Sequence, residues 1–141
     1  MKKIHSLLLF TTLIVLLNSC SKEDDPYIIF ANINSNVITT EALSVTTGGN
    51  YELNVTIGFD KEKGEDNRIF YEYKIDEEAV QHFDDTGMLE VLTEERHNNL
   101  TIVNAKISLS FDENIISSGS QMKITVRDRW VLRKSLIFNV K

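Results

Sequence analysis

Tyr51-Glu52-Leu53-Asn54-Val55-Thr56-Ile57-Gly58-Phe59 alternates without a break: every odd position is apolar and every even one is not. Successive side chains of an extended chain point to opposite faces, so this period of two predicts a strand with one face in a core and the other in water. Gly48-Gly49-Asn50 just before it is turn chemistry. A half-buried strand of this kind belongs in an antiparallel sheet, which can leave one face solvated.

The same pattern recurs downstream. Residues 68–75 place Ile69, Tyr71, Tyr73 and Ile75 on one face, with Phe70 out of step among Arg68, Glu72 and Lys74. Val103, Ala105, Ile107, Leu109 and Phe111 alternate with Asn104, Lys106, Ser108 and Ser110, and Met122, Ile124 and Val126 with Lys123, Thr125 and Arg127. The last strand, residues 133–140, turns Leu136, Phe138 and Val140 inward. Upstream, residues 27–33 and 37–45 are expected to be the first strands. Residues 76–99 fit the pattern least; a short helix over 77–83 and an edge strand over 88–93 are expected there. About seven strands separated by turn signals predict an all-β domain, two antiparallel sheets joined by Greek-key crossings, with a small open barrel as the other arrangement. The layout over residues 27–141 resembles the immunoglobulin-like and fibronectin type III-like domains of bacterial surface lipoproteins. It departs from the immunoglobulin pattern in having no disulfide pair and a tyrosine in place of the core tryptophan.

The N-terminus reads differently. Lys2 and Lys3 precede an apolar run over residues 7–17. That run spans only about 16 Å as a helix, against a hydrocarbon core of about 30 Å. It is a signal-peptide core rather than a transmembrane span. Leu17-Asn18-Ser19-Cys20 follows, and it resembles the lipobox of bacterial lipoproteins. The resemblance implies cleavage after Ser19, a signal peptide over residues 1–19 and lipid on Cys20, so that the partner of the chain is a membrane. The competing reading is an ordinary secretory signal beside a chance cysteine. Residues 20–26 then form an acidic tether. Within it Lys22, Glu23, Asp24 and Asp25 resemble the export signal of Bacteroidetes lipoproteins, which implies an outer-membrane protein displayed on the cell surface. The competing reading is a solvated linker.

One domain is expected after the tether, over residues 27–141. Removal of residues 1–19 leaves about 120 residues, enough to bury about two-thirds of the unfolded surface. The full chain carries a net charge of −6, and the loss of Lys2 and Lys3 makes it more acidic still. Such a balance argues against a nucleic-acid partner, which needs clustered Lys and Arg. Cys20 is the only cysteine, so stability must come from the apolar core.

No catalytic set is legible. There is no Gly-x-Ser-x-Gly elbow, Gly-rich phosphate loop or Cys-x-x-Cys pair. His82-Phe83-Asp84-Asp85 and Glu94-Glu95-Arg96-His97 supply metal-ligand types in hydrophilic stretches, and residues 60–67 supply oxygen ligands without calcium-loop spacing. No metal, cofactor or catalytic residue is therefore assigned. Trp130, the only tryptophan, lies in Arg127-Asp128-Arg129-Trp130-Val131-Leu132-Arg133. It is expected either to fold back as a lid on the core or to form an exposed anchor with Arg127, Arg129 and Arg133 for a membrane or partner. The function this suggests is a non-enzymatic, membrane-anchored binding or accessory module for a glycan or protein partner. A structural assembly subunit and a small hydrolase are the other classes considered.

Overall fold

The computed structural model describes residues 23–61 and 67–141; the expected signal peptide, Cys20 and Lys22 lie outside them. Among the described residues there are ten strands: β1 (Tyr27–Ile33), β2 (Asn36–Val37), β3 (Ala42–Val45), β4 (Asn50–Phe59), β5 (Phe70–Ile75), β6 (Gln81–His82), β7 (Leu89–His97), β8 (Leu100–Ser110), β9 (Gln121–Arg127) and β10 (Arg133–Val140). They form two five-stranded sheets, β2-β1-β4-β8-β7 and β3-β10-β9-β5-β6. Every pairing is antiparallel except β3 with β10. The two sheets pack face to face as an immunoglobulin-like sandwich, and the barrel alternative does not form.

The alternation read from β4 sets the layers. Leu53, Val55, Ile57 and Phe59 are buried, and they lie opposite Ile107, Ala105, Val103 and Thr101 of β8 in register. Cross-strand partners point to the same face, so the two central strands present one continuous apolar sheet. Tyr71 and Ile75 of β5, Met122, Ile124 and Val126 of β9, and Leu136, Phe138 and Val140 of β10 close over it from the second sheet. Phe111 joins the halves, edge-on to Tyr51 at 5.5 Å and tilted on Phe138 at 5.7 Å. Tyr71 is buried in this core. Its phenol is pushed well above the usual tyrosine range, first by burial and then by the nearby carboxylates of Asp84 and Glu94. Gly58 leaves room for the Tyr27 ring, which a Cβ there would meet at 2.5 Å and push aside.

Two expectations are corrected. Residues 37–45 are not one strand. The turn at Asn34 and Ser35, both with left-handed backbone, folds β2 back on β1, and the chain then crosses to the other sheet, where β3 runs beside β10. The polar stretch Thr39-Thr40-Glu41 has no alternation to hold it in either sheet. Nor is there a helix over residues 77–83. Asp76 turns the chain with φ at 45°, and its carboxylate accepts the Gln121 N–H at 2.8 Å, which holds it below the usual carboxylate range. β6 then pairs with β5, and one 3-10 turn, Phe83–Asp85, places Phe83 in the core against Tyr73 at 4.6 Å. Burial of this large ring and the strand pairing outweigh the weak helix preference of Glu77-Glu78-Ala79. The expected edge strand is present but longer, because β7 pairs with β8 as far as the turn at Asn98 and Asn99.

Candidate functional site

Asp128 builds the loop between β9 and β10. Its carboxylate is buried, and one oxygen, Oδ1, accepts the N–H groups of Trp130, Val131 and Leu132 at 2.9, 2.9 and 2.8 Å. The Asp128 N–H donates to the Leu132 carbonyl at 2.9 Å and closes the turn. Three backbone donors converging on one carboxylate oxygen rigidify the loop and set what it presents. Leu132 turns inward against the core. Trp130 and Val131 turn outward and are 59% and 85% exposed. Trp130 is therefore not a lid; Leu132 takes that place.

The neighbouring loop is bolted to this one by Asn67, which is also buried. Its amide donates to the Asp60 carbonyl at 2.7 Å and to Asp128 Oδ2 at 3.4 Å, while its Oδ1 accepts the Arg129 N–H at 3.3 Å. Residues 62–66, which carry part of the calcium reading, lie outside the described residues.

The four residues expected to act together are divided by the structure. Arg127 donates through Nε and Nη2 to Glu72 Oε1, at 3.0 and 2.7 Å, and Glu72 is buried. The guanidinium also covers the Phe70 ring at 4.3 Å, with Arg68 on the same ring at 4.7 Å. Phe70 is thus covered by two arginines. Arg127 is engaged in holding β5 to β9, and Arg129, Trp130 and Arg133 remain on the outer surface. Arg129 lies over the Trp130 ring at 5.8 Å. Beside them an open depression of about 560 Å³ is lined by Glu72, Val80, His82, Trp130, Val131 and Arg133, among others.

The described residues before β1 meet the domain at this same end. Tyr27, the first residue of β1, pairs with Gly58 near the end of β4. Just upstream, the Asp24 N–H donates to Asn99 Oδ1 at 2.8 Å, Asn99 Nδ2 donates to the Asp24 carbonyl at 3.0 Å, and Asn98 Nδ2 donates to Asp24 Oδ2 at 2.8 Å. Asp24 is thereby stapled to the β7–β8 turn, and residues 24–26 are not a free linker. Sequence reading missed Asp128, Asn67, Asn98 and Asn99. The available signals were an Asp opening a tight turn and an Asn-Asn pair between two strands, both turn formers.

His82 lies on β6 and His97 at the end of β7, in different sheets. Among the described residues no group of three or more His, Cys, Asp or Glu could hold a metal ion, and no helix is long and apolar enough to cross a membrane. No protein-family model matches the sequence, and no curated protein matches it.

Proposed function

We propose that this chain is a bacterial lipoprotein, anchored in the outer membrane through lipid on Cys20 and displayed on the cell surface. Its sandwich acts as a non-enzymatic binding or accessory module for a glycan or protein. The observation that carries this reading is Leu17-Asn18-Ser19-Cys20, placed directly after a short apolar run and four residues before the stapled Asp24. Several acyl chains, each contributing about 0.8 kcal/mol per buried methylene, would hold the domain firmly on a bilayer.

Two substitution sets test the reading. Cys20→Ser is expected to abolish incorporation of labelled fatty acid; continued labelling would overturn the anchor. Replacing Lys22, Glu23 and Asp25 with alanine is expected to preserve labelling but remove the domain from the reach of protease added to whole cells. Asp24 is left intact in that variant because of its bonds to Asn98 and Asn99. Unchanged shaving would leave these residues as a linker only.

A structural assembly subunit is the second reading, favoured by β7. This nine-residue strand is the last of its sheet, and Val91 and Leu92 are about half exposed on it. A long edge with exposed apolar side chains can accept another strand. The bulge between Val91 and Thr93 and the charges of Glu90, Glu94 and Glu95 oppose indiscriminate pairing. Concentration-dependent self-association of the lipid-free chain would favour this second reading.

A further inference from the structure

We infer that the end of the sandwich carrying Trp130 and Val131 lies against the bilayer that holds the lipid on Cys20, with these two side chains in the membrane interface; this rests on the lipoprotein reading. The first ground is position. Asp24 is pinned to the β7–β8 turn, and the four residue steps from Cys20 to Asp24 reach at most about 14 Å. The β7–β8 turn, the start of β1, Asp60 and Asn67 beyond β4, and the loop after β9 all lie at one end of the sandwich. Five strands about 4.8 Å apart make that end about 20 Å wide, so every part of it falls close to the anchor.

The second ground is chemistry. Trp130, more than half exposed, and the nearly bare Val131 are not what closes the core at this loop, because Leu132 supplies that contact. Tryptophan is enriched where one side of a ring is apolar and the other wet, as at the headgroup level. The Asp128 and Asn67 hydrogen bonds fix the loop in this conformation, so little ordering remains to be done on contact. Arg129 and Arg133 border the tip and suit lipid phosphates. The same end also carries Glu23, Asp25 and Asp60, so charge alone does not drive the contact and the apolar tip must. A weak contact suffices, since a short tether gives an effective concentration on the order of millimolar. The turns at the opposite end, within residues 46–49 and 112–120, then face away from the membrane and are left open to a partner.

The full lipidated chain, reconstituted in vesicles of phosphatidylcholine and phosphatidylglycerol, provides the test. Trp130 is its only tryptophan, so the emission belongs to one side chain. Lipid on Cys20 is measured on the same sample by mass. The expected result is a blue-shifted emission that loses more than about half its intensity when the acyl chains are brominated, as an interfacial ring should. Trp130→Phe combined with Ser118→Trp moves the reporter to the opposite end, where emission should stay water-like and unquenched. A lipidated chain whose Trp130 remains water-like overturns the docking and leaves the anchor standing, as does one whose Trp130 is shifted equally by a soluble saccharide but untouched by bromine. A chain without lipid on Cys20 overturns both readings together.

Discussion

At the scale of single residues, the site depends on groups that are buried, polar and fully paired. Asp128 is the clearest case: its carboxylate satisfies three backbone N–H groups that would otherwise be left without partners near the core. Hydrogen bonds to a charged acceptor are worth more than neutral ones, although they do not add. Asp128→Ala is therefore expected to cost roughly 2–4 kcal/mol, with Asp128→Asn in between, since an amide oxygen still accepts. Urea unfolding measures the cost, and amide exchange of residues 130–132 should rise first. Tyr71 makes a different prediction. Its folded pKa lies above the usual value of about 10, so the unfolded chain gives up this proton first. Its contribution is fully present below pH of about 10 and is lost as pH rises further, with a slope of up to about 1.4 kcal/mol per pH unit. Stability of Tyr71→Phe should fall less steeply than wild type above that point; parallel curves would remove Tyr71 as the cause.

At the scale of elements, β4 decides the sheet. Val55 is buried opposite Ala105, whereas Thr56 lies on the other face, its hydroxyl donating to Asn104 Oδ1 at 2.7 Å. Val55→Asp places an unpaired charge in the core and is expected to cost about 4 kcal/mol or more, close to the limit of what a small domain tolerates. Thr56→Asp should cost about 1 kcal/mol, the worth of one partly exposed hydrogen bond, rather than nothing. Thermal melts of the two variants check the register, and equal losses would contradict it. The alternation that makes this comparison possible was legible along β4, β5, β8, β9 and β10. It gave only part of β7. It was not legible in residues 37–45 and 76–85, because β2, β3 and β6 are only two to four residues long. Such short pieces are held by their neighbours and by Phe83, not by a pattern of their own.

At the scale of the whole molecule, the consequential feature is that the chain is already held to the domain at Asp24, before β1 begins. Asn98 and Asn99 hold Asp24 through three hydrogen bonds, all at or near the surface. Replacing both asparagines with alanine is expected to cost about 1–2 kcal/mol of global stability, most of it because alanine tolerates the left-handed backbone at position 98 poorly, the exposed contacts themselves being weak. Local opening should respond far more, since proteolysis reports the population of the opened segment. Cleavage between residues 20 and 27 should accelerate severalfold while cleavage of the sandwich does not. An unchanged nicking rate would mean that Asp24 does not restrain this segment.

The strand faces were determined by the sequence itself: which side chains of β4, β5, β8, β9 and β10 enter the core follows from a period of two and the cost of burying polar groups. The expectation of an anchor at Cys20 is likewise a reading of a linear motif, and it depends on no fold. Only the tertiary structure decided that Leu132 rather than Trp130 turns inward and that Arg127 serves Glu72, 55 residues away in the chain. It alone joined Asn99 to Asp24, 75 residues apart. Alternation constrains one strand at a time, whereas these pairings join groups that become neighbours only after both sheets and their loops have assembled.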